Sequence, residues 1–175
     1  MANLNPISEF KTYYFPREAK RHFYESVFFR GLSSEKIETF TAAYLQLLKK
    51  LDYLHHGKQL LLKNPASTGR IPFLLKHFPN AKFIHIIRNP FKVFTSSSLR
   101  YIGALPPLSW QNFQDFDIDD HVLEFYEQLM KRYLNERAQI PEENLIETRF
   151  EDLTKRPLNE VKRIYQQFEL RGQSN

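Results

Sequence analysis

The stretch that decides the fold is residues 60–98, LLLKNPASTGRIPFLLKHFPNAKFIHIIRNPFKVFTSSS. Two short apolar runs, at residues 60–63 and 82–87, have the length and composition of β-strands. An amphipathic segment with apolar residues at helical spacing lies between them, and a second helix follows the second run. This order predicts a parallel sheet with helices packed on its faces, because parallel strands need a long crossover connection.

Local signals support each part of this unit. The run at residues 60–63 is apolar without alternation, as expected for a strand covered on both faces. Pro72 suits the first turn of the helix between the strands, where a missing N–H costs little. Asn89 is a good N-cap for the second helix, and Pro90 suits its first position.

The two predicted strands end in cations. Lys63 and Arg88 follow the apolar runs directly, and open parallel sheets bind ligands beyond the carboxyl ends of their strands. A guanidinium group forms paired hydrogen bonds with phosphate oxygens, and the hydroxyl of Ser96, about two turns into the next helix, adds a neutral donor. These residues predict a phosphate site. In the alternative, Arg88 pairs with a carboxylate and the serines at 96–98 form only a solvated or packed helix face; residue types alone leave both open.

These residues resemble the core of the sulfotransferase family that uses 3′-phosphoadenosine 5′-phosphosulfate (PAPS), especially its bacterial branch. The resemblance rests on Lys63-Asn64-Pro65, Arg70, residues 78–85, Arg88-Asn89-Pro90, Val93 and Ser96, and on the sequence RFEDL at residues 149–153. It implies a three-layer α/β fold of the P-loop NTPase type with a parallel sheet. It also implies transfer of a sulfuryl group from PAPS to a hydroxyl or amine acceptor.

The resemblance assigns roles to three residues. In that family an Arg at the end of this strand and a Ser eight residues later hold the 3′-phosphate, and Arg88 and Ser96 have this spacing. Lys63 is assigned to catalysis, where it would stabilise the transferring sulfuryl group or the bridging oxygen; the alternative is a lysine that only binds phosphate. No metal is implied, and the six histidines are too scattered to assemble into a metal-ligand cluster.

The sequence also departs from the family pattern. None of its five glycines lies in a loop that would hold the 5′-phosphate between a strand and its helix. Pro65 stands where one branch of the family has a catalytic His. We therefore expect a single domain over residues 1–175 that lacks the N-terminal phosphosulfate-binding loop, an inactive or partial fragment whose base is supplied from outside this chain. An incomplete sheet would leave an unpaired edge, through which the chain could associate with a partner.

Two other functions remain open: a non-catalytic nucleotide-binding or interaction domain, and a P-loop kinase-like remnant, which the lack of a Walker lysine disfavours. Residues 1–100 carry a net charge of +10 and residues 101–175 one of −5, so the first part would attract a polyanionic cofactor. No base-reading motif is present, and we expect no nucleic-acid partner. The absence of cysteines, of a leader and of a long apolar run predicts a cytoplasmic chain without a membrane span.

The remaining sequence predicts four further helices and a third strand. The helices are expected at about residues 17–29, 34–55, 119–137 and 157–170, with Ser33 or Ser34 capping the second and Asp119 or Asp120 the third. The third strand is expected at residues 145–150. Residues 101–118 predict a long loop, because Gly103, Pro106 and Pro107 interrupt the periodicity.

Overall fold

The structure, a computed structural model, describes residues 7–170 and is a mixed α/β arrangement dominated by helices. The helices of this part of the chain are α1 (Lys11–Tyr14), α2 (Ala19–Phe28), α3 (Ser34–Leu54), α4 (Ile71–His77), α5 (Pro90–Leu108), α6 (Ile118–Glu136), α7 (Phe150–Lys155) and α8 (Pro157–Gln167). The strands are β1 (Phe83–Ile87) and β2 (Leu145–Arg149). Short 3₁₀ turns lie at Pro16–Glu18, Pro65–Gly69, Arg137–Gln139 and Glu142–Asn144.

The two strands pair in parallel. Phe83 lies opposite Leu145 at one end of the ladder, and Ile87 lies opposite Arg149 at the other. Helices α5 and α6 make the crossover between the strands and pack against each other. The prediction of a mixed α/β chain with a parallel sheet is therefore confirmed, and both strands lie within one residue of their predicted limits.

The first of the predicted strands, at residues 60–63, is not formed in the described part of the chain. This segment has no regular structure, and Leu61 is 86% exposed. A strand is stable only when its N–H and C=O groups meet a neighbouring strand. Within residues 7–170 the sheet has two strands, so one edge of β1 is free and the segment at 60–63 pairs with neither strand. Association of the chain through this edge stays a prediction.

The predicted loop at residues 101–118 is wrong in its first half. Helix α5 continues to Leu108, and only residues 109–117 are irregular. Tyr101 and Leu105 are buried against α1 and α6, and this burial holds the segment helical. Pro106 and Pro107 are exposed and stand in the last turn, where the helix ends soon after them.

Side chains accept hydrogen bonds from the first N–H groups of the long helices and so cap their N-termini. The Ser33 hydroxyl accepts a hydrogen bond from the Lys36 N–H at the start of α3, as predicted. Asp117, rather than Asp119 or Asp120, caps α6 and accepts from the Asp120 N–H at 2.9 Å. The helix therefore begins one residue earlier than expected, because the two later acids already lie in its first turn. The Asn89 side chain caps α5, as predicted, and accepts from the N–H groups of Phe91 and Lys92.

Helix α6 connects the small core clusters. Val122 packs with Tyr101 and Leu105, Phe125 packs on α2, and Tyr133 packs beneath the sheet with Ile71. The Tyr133 ring stacks on His85 of β1, with ring centroids 3.8 Å apart. This helix therefore holds both β1, which ends at the predicted phosphate site, and α5, which begins there.

Arg70, one of the residues that carry the family resemblance, contributes to the packing of the fold. It is buried, its Nε donates to the carbonyl oxygen of Ser26 at 3.0 Å, and its guanidinium lies over the rings of Phe29 and Phe40. Burial lowers the pKa of this guanidinium. Arg70 thus ties the end of α2 to the start of α4.

A first prediction concerns acid stability. His121 is buried with its Nε2 2.9 Å from the Tyr101 hydroxyl, and burial lowers its pKa from 6.5 to about 4. The unfolded chain therefore binds a proton that the native state does not, and native stability falls as pH drops from 6.5 toward 4. Burial also lowers the pKa of His22 and His85, which adds to this loss.

We expect His121→Gln to reduce the slope of the unfolding free energy against pH by about 1.4 kcal/mol per pH unit between pH 6 and 4.5. Urea denaturation at several pH values measures this slope. His55→Gln, at the exposed end of α3, is the matched control and should leave the slope unchanged. Equal slopes in the two variants would contradict the prediction.

A second prediction concerns the start of α5. Asn89→Ala removes the acceptor for two backbone N–H groups and should lower the free energy of unfolding by about 1 kcal/mol. Asn89→Asp keeps an acceptor and should retain most of the stability. Urea denaturation of both variants at pH 7 tests this, and an alanine variant as stable as the aspartate variant would show that the cap contributes nothing.

Candidate functional site

The site lies at the carboxyl edge of the sheet. Because β1 and β2 run parallel and Ile87 lies opposite Arg149, the residues that follow the two strands leave the sheet side by side. Arg88 and Phe150 are these residues, and the guanidinium carbon of Arg88 lies 4.5 Å from the centre of the Phe150 ring. The pairing thus joins two segments that are far apart in sequence.

An open cleft of about 440 Å³ begins at Arg88 and continues along α5. Its lining residues combine two cations, two hydroxyl groups and two apolar side chains: Arg88, Phe91, Lys92, Thr95, Ser96 and Leu99. Lys92, Ser96 and Leu99 follow one another at the i, i+4 and i+7 spacing of one helix face. Such a lining fits a ligand that has an anionic group next to a less polar body.

Arg88 is half-buried and has free hydrogen-bond donors. Its Nε is buried without a hydrogen-bond partner, and no ion pair described for residues 7–170 includes its guanidinium. The alternative in which Arg88 pairs with a carboxylate therefore does not hold for this part of the chain. A buried donor without a partner is costly, and a ligand oxygen would satisfy it.

The serines of α5 divide into two kinds. Ser98 is buried and donates to Asp119 at 2.8 Å, so the interpretation as a packed helix face applies to it. Ser96 is exposed in the cleft, and its hydroxyl forms no hydrogen bond with residues 7–170. Thr95 donates to the carbonyl oxygen of Phe91 at 3.0 Å. Among the two cleft hydroxyls, that of Ser96 is therefore the free donor.

Glu151 lies beside the cleft but does not neutralise Arg88. Its carboxylate accepts a hydrogen bond from the Asn89 N–H at 3.4 Å, where α5 begins. The Glu151 and Asn89 backbone N–H groups lower the pKa of this carboxyl, and the charges of Arg149 and Lys92 add to the effect. Glu151 belongs to the first turn of α7, and its interaction with Asn89 links that turn to α5.

Lys63 is placed apart from this cleft. It is exposed at the end of the irregular segment 60–63 and is not among the residues that line the cleft. The neighbouring Asn64 side chain accepts from the Ala66 N–H at 2.9 Å and caps the turn Pro65–Gly69. The structure thus brings Arg88 and Ser96 to one cleft and leaves Lys63 outside it. The binding and catalytic roles of the three residues stay predictions.

Sequence reasoning missed several residues of the site. The sequence did contain a signal for Lys92, because this residue stands four residues before Ser96 on the same face of a predicted helix. Arg149 and Phe150 were noted only as part of a family motif, and their place beside Arg88 depends on the register of the sheet. No local pattern gives that register, because it is a contact between distant segments.

Two further observations concern the part of the chain that the structure describes. Among residues 7–170, no group of three or more His, Cys, Asp and Glu side chains lies close enough together to hold a metal ion. In the same part of the chain, no helix has both the length and the apolar character that crossing a membrane requires.

Comparisons with known proteins identify the family of the chain. The family model described as Sulfotransferase family matches residues 7–174. The omega-hydroxy-beta-dihydromenaquinone-9 sulfotransferases Stf3 of Mycobacterium bovis and Mycobacterium tuberculosis are each 36% identical to the chain over 115 residues, which are 65% of this chain and 29% of theirs. The chain thus matches less than a third of the length of these relatives. No solved structure matches it significantly. The family match extends over all of the described residues, and the chain belongs to the sulfotransferase family.

Proposed function

We propose that this chain forms part of a sulfotransferase that transfers a sulfuryl group from PAPS to a hydroxyl or amine acceptor. Its cleft would bind the 3′-phosphate end of the donor. The observation that carries the proposal is that Arg88, with a buried Nε that lacks a partner, lines the same cleft as the free hydroxyl of Ser96. Family membership supports the chemistry.

The charges of the cleft suit a phosphate group. Arg88 offers the planar fork of donors that matches two phosphate oxygens, Lys92 adds a second positive charge, and Ser96 adds a neutral donor. The net charge of +10 on residues 1–100 favours the approach of a polyanion. The cleft would therefore distinguish nucleotides by their 3′-phosphate, a group that ATP lacks.

The proposed reaction is a displacement at sulfur. The acceptor oxygen or nitrogen forms a bond to sulfur, and the bond between sulfur and the 5′-phosphate oxygen breaks with its electron pair left on the phosphate. The acceptor loses its proton to a base, and 3′-phosphoadenosine 5′-phosphate (PAP) is released. Lys63 would stabilise the negative charge that grows on the bridging oxygen, which requires the donor to extend from the cleft toward residues 60–63.

We also propose that the described strands belong to a three-layer sheet of the P-loop NTPase type. The free edge of β1 and the exposed Leu61, Ile84 and Ile86 support this, since a central parallel strand is covered by neighbours and helices. In such a sheet residues 60–63 would pair as a strand and carry Lys63 to the carboxyl edge. The expected absence of a phosphosulfate-binding loop from residues 1–175 stays part of this proposal.

The relatives favour a hydroxyl acceptor, since their names refer to a hydroxylated dihydromenaquinone. A second function, a nucleotide-binding domain without catalysis, is favoured by the position of Lys63 outside the cleft. Both functions predict PAP binding. A turnover assay separates them, because only a sulfotransferase transfers the sulfuryl group.

The binding part of the proposal is tested by calorimetric titration of the chain with PAP and with ATP. We expect PAP to bind more tightly than ATP. Arg88→Lys keeps the charge but loses the fork and should weaken PAP binding about tenfold, and Ser96→Ala should weaken it about fivefold. Arg100→Lys and Ser97→Ala, on the same helix outside the cleft, are the matched controls. No preference for PAP, or equal losses in the controls, would overturn the proposed binding site.

The catalytic part is tested by PAP release from PAPS in the presence of a dihydromenaquinone with a terminal hydroxyl group. Lys63→Met should lower kcat about 100-fold or more and leave the KM for PAPS nearly unchanged, because the lysine acts on charge that develops during transfer. Lys58→Met, an exposed lysine nearby, is the control. An increase in KM without a fall in kcat would make Lys63 a phosphate-binding residue, and PAP binding without any turnover would favour the non-catalytic domain.

A further inference from the structure

We propose that Phe150 is a positioning residue, which holds the guanidinium of Arg88 in the orientation that selects a 3′-phosphorylated nucleotide. The inference rests on the proposed function, because it assigns a determinant of specificity to the same cleft. It concerns a residue outside the cleft lining, which would act on the ligand only through Arg88.

The first argument is the contact itself. The guanidinium carbon of Arg88 lies 4.5 Å from the Phe150 ring centre, and the other cation–ring contacts described for residues 7–170 measure between 5.2 and 5.8 Å. A cation over an aromatic face is attracted by the negative charge of the ring face. Phe150 is half-buried at the start of α7, directly after β2, so the backbone of the sheet fixes its position.

The second argument is that the contact with this ring is the one hydrogen-bond, ion-pair or cation–ring contact described for the Arg88 guanidinium among residues 7–170. Arg70, which also contacts rings, donates in addition to Ser26, and Arg132 pairs in addition with Glu136. The Arg88 guanidinium forms no hydrogen bond or ion pair with the described residues, and its Nε is buried without a partner. Without the ring, the long side chain would be free to take other rotamers.

The third argument is that an aromatic contact leaves the N–H donors and the positive charge of Arg88 available to a ligand. A carboxylate would orient Arg88 but would also occupy its donors and neutralise its charge. A ring in contact with the guanidinium removes neither, because the N–H groups of this planar ion point outward in its own plane. The acid next to Phe150, Glu151, accepts instead from the Asn89 N–H. The guanidinium is therefore held in place with its positive charge and donors intact.

Calorimetric titration of the chain with PAP and with AMP tests this inference, since the two ligands differ by the 3′-phosphate. The measured quantity is the ratio of the two affinities. Phe150→Leu should lower this ratio about three- to tenfold and leave AMP binding unchanged, because the ring acts only through Arg88. Phe150→Tyr keeps the ring face and should keep the ratio. Phe10→Leu, at a half-exposed ring near Tyr13, is the matched control.

A second variant separates the charge of the ring from its shape. Pentafluorophenylalanine at position 150 keeps the size of the ring but reverses the charge on its face, so the ratio should fall as it does in Phe150→Leu. In NMR spectra the Arg88 Nε–H resonance should lose its ring-current shift in Phe150→Leu and keep it in Phe150→Tyr. This signal reports the contact even if ligand binding is weak.

The outcomes distinguish the two proposals. If the unaltered chain does not prefer PAP over AMP, the proposed function fails. If it prefers PAP and both Phe150→Leu and the pentafluorinated variant keep the preference, the inference about Phe150 is overturned and the proposed function stands. An unchanged Arg88 resonance in Phe150→Leu would likewise overturn the inference.

Discussion

The parallel pairing of β1 with β2 is the constraint on which the candidate site depends. The ladder ends with Ile87 opposite Arg149, so the chain leaves both strands at the same edge and at the same level. Arg88 then contacts Phe150, and the Asn89 N–H reaches the Glu151 carboxylate. A shift of one residue would turn the side chains of one strand to the opposite face and break these contacts. Side chains on α6, which packs against α5 and against His85, hold this register in place.

Charges at this edge are arranged so that the cations remain available. Arg88, Lys92 and Arg149 gather there, and none of them takes part in an ion pair described for residues 7–170. Glu151 is the acid beside them, and it accepts a backbone N–H at the start of α5. An excess of unpaired positive charge in a partly buried cleft is unfavourable in the free protein because the charges repel one another. A bound phosphate would remove that repulsion, which is why such clusters point to anion binding.

Sequence reasoning succeeded where the determinants are local. Asn89 and Pro90 gave the start of α5, and the apolar runs gave β1 and β2 to within one residue. It failed at residues 60–63 and 101–108, where contacts with segments elsewhere in the chain determine the secondary structure. The apolar run that contains Leu61 stays irregular because it has no neighbouring strand. The burial of Leu105 keeps α5 helical up to Pro106 and Pro107, which from the sequence alone are interpreted as residues that interrupt a helix. The same limit applies to the site: the spacing of Arg88 and Ser96 was visible in the sequence, whereas the contact of Arg88 with Phe150 requires the register of the sheet.

These differences divide the proposed active site into two parts with different structural support. Arg88 and Ser96 are fixed by β1, by the Asn89 cap and by the helix that follows, all of which are formed within residues 7–170. Lys63 follows a segment that lacks a strand partner in this part of the chain, and its side chain is exposed. The proposed nucleotide recognition therefore depends on contacts that the described residues already make. The proposed sulfuryl transfer would depend on whether further strands pair with residues 60–63 and with the free edge of β1, because only such pairing would carry Lys63 to the edge where Arg88 lies.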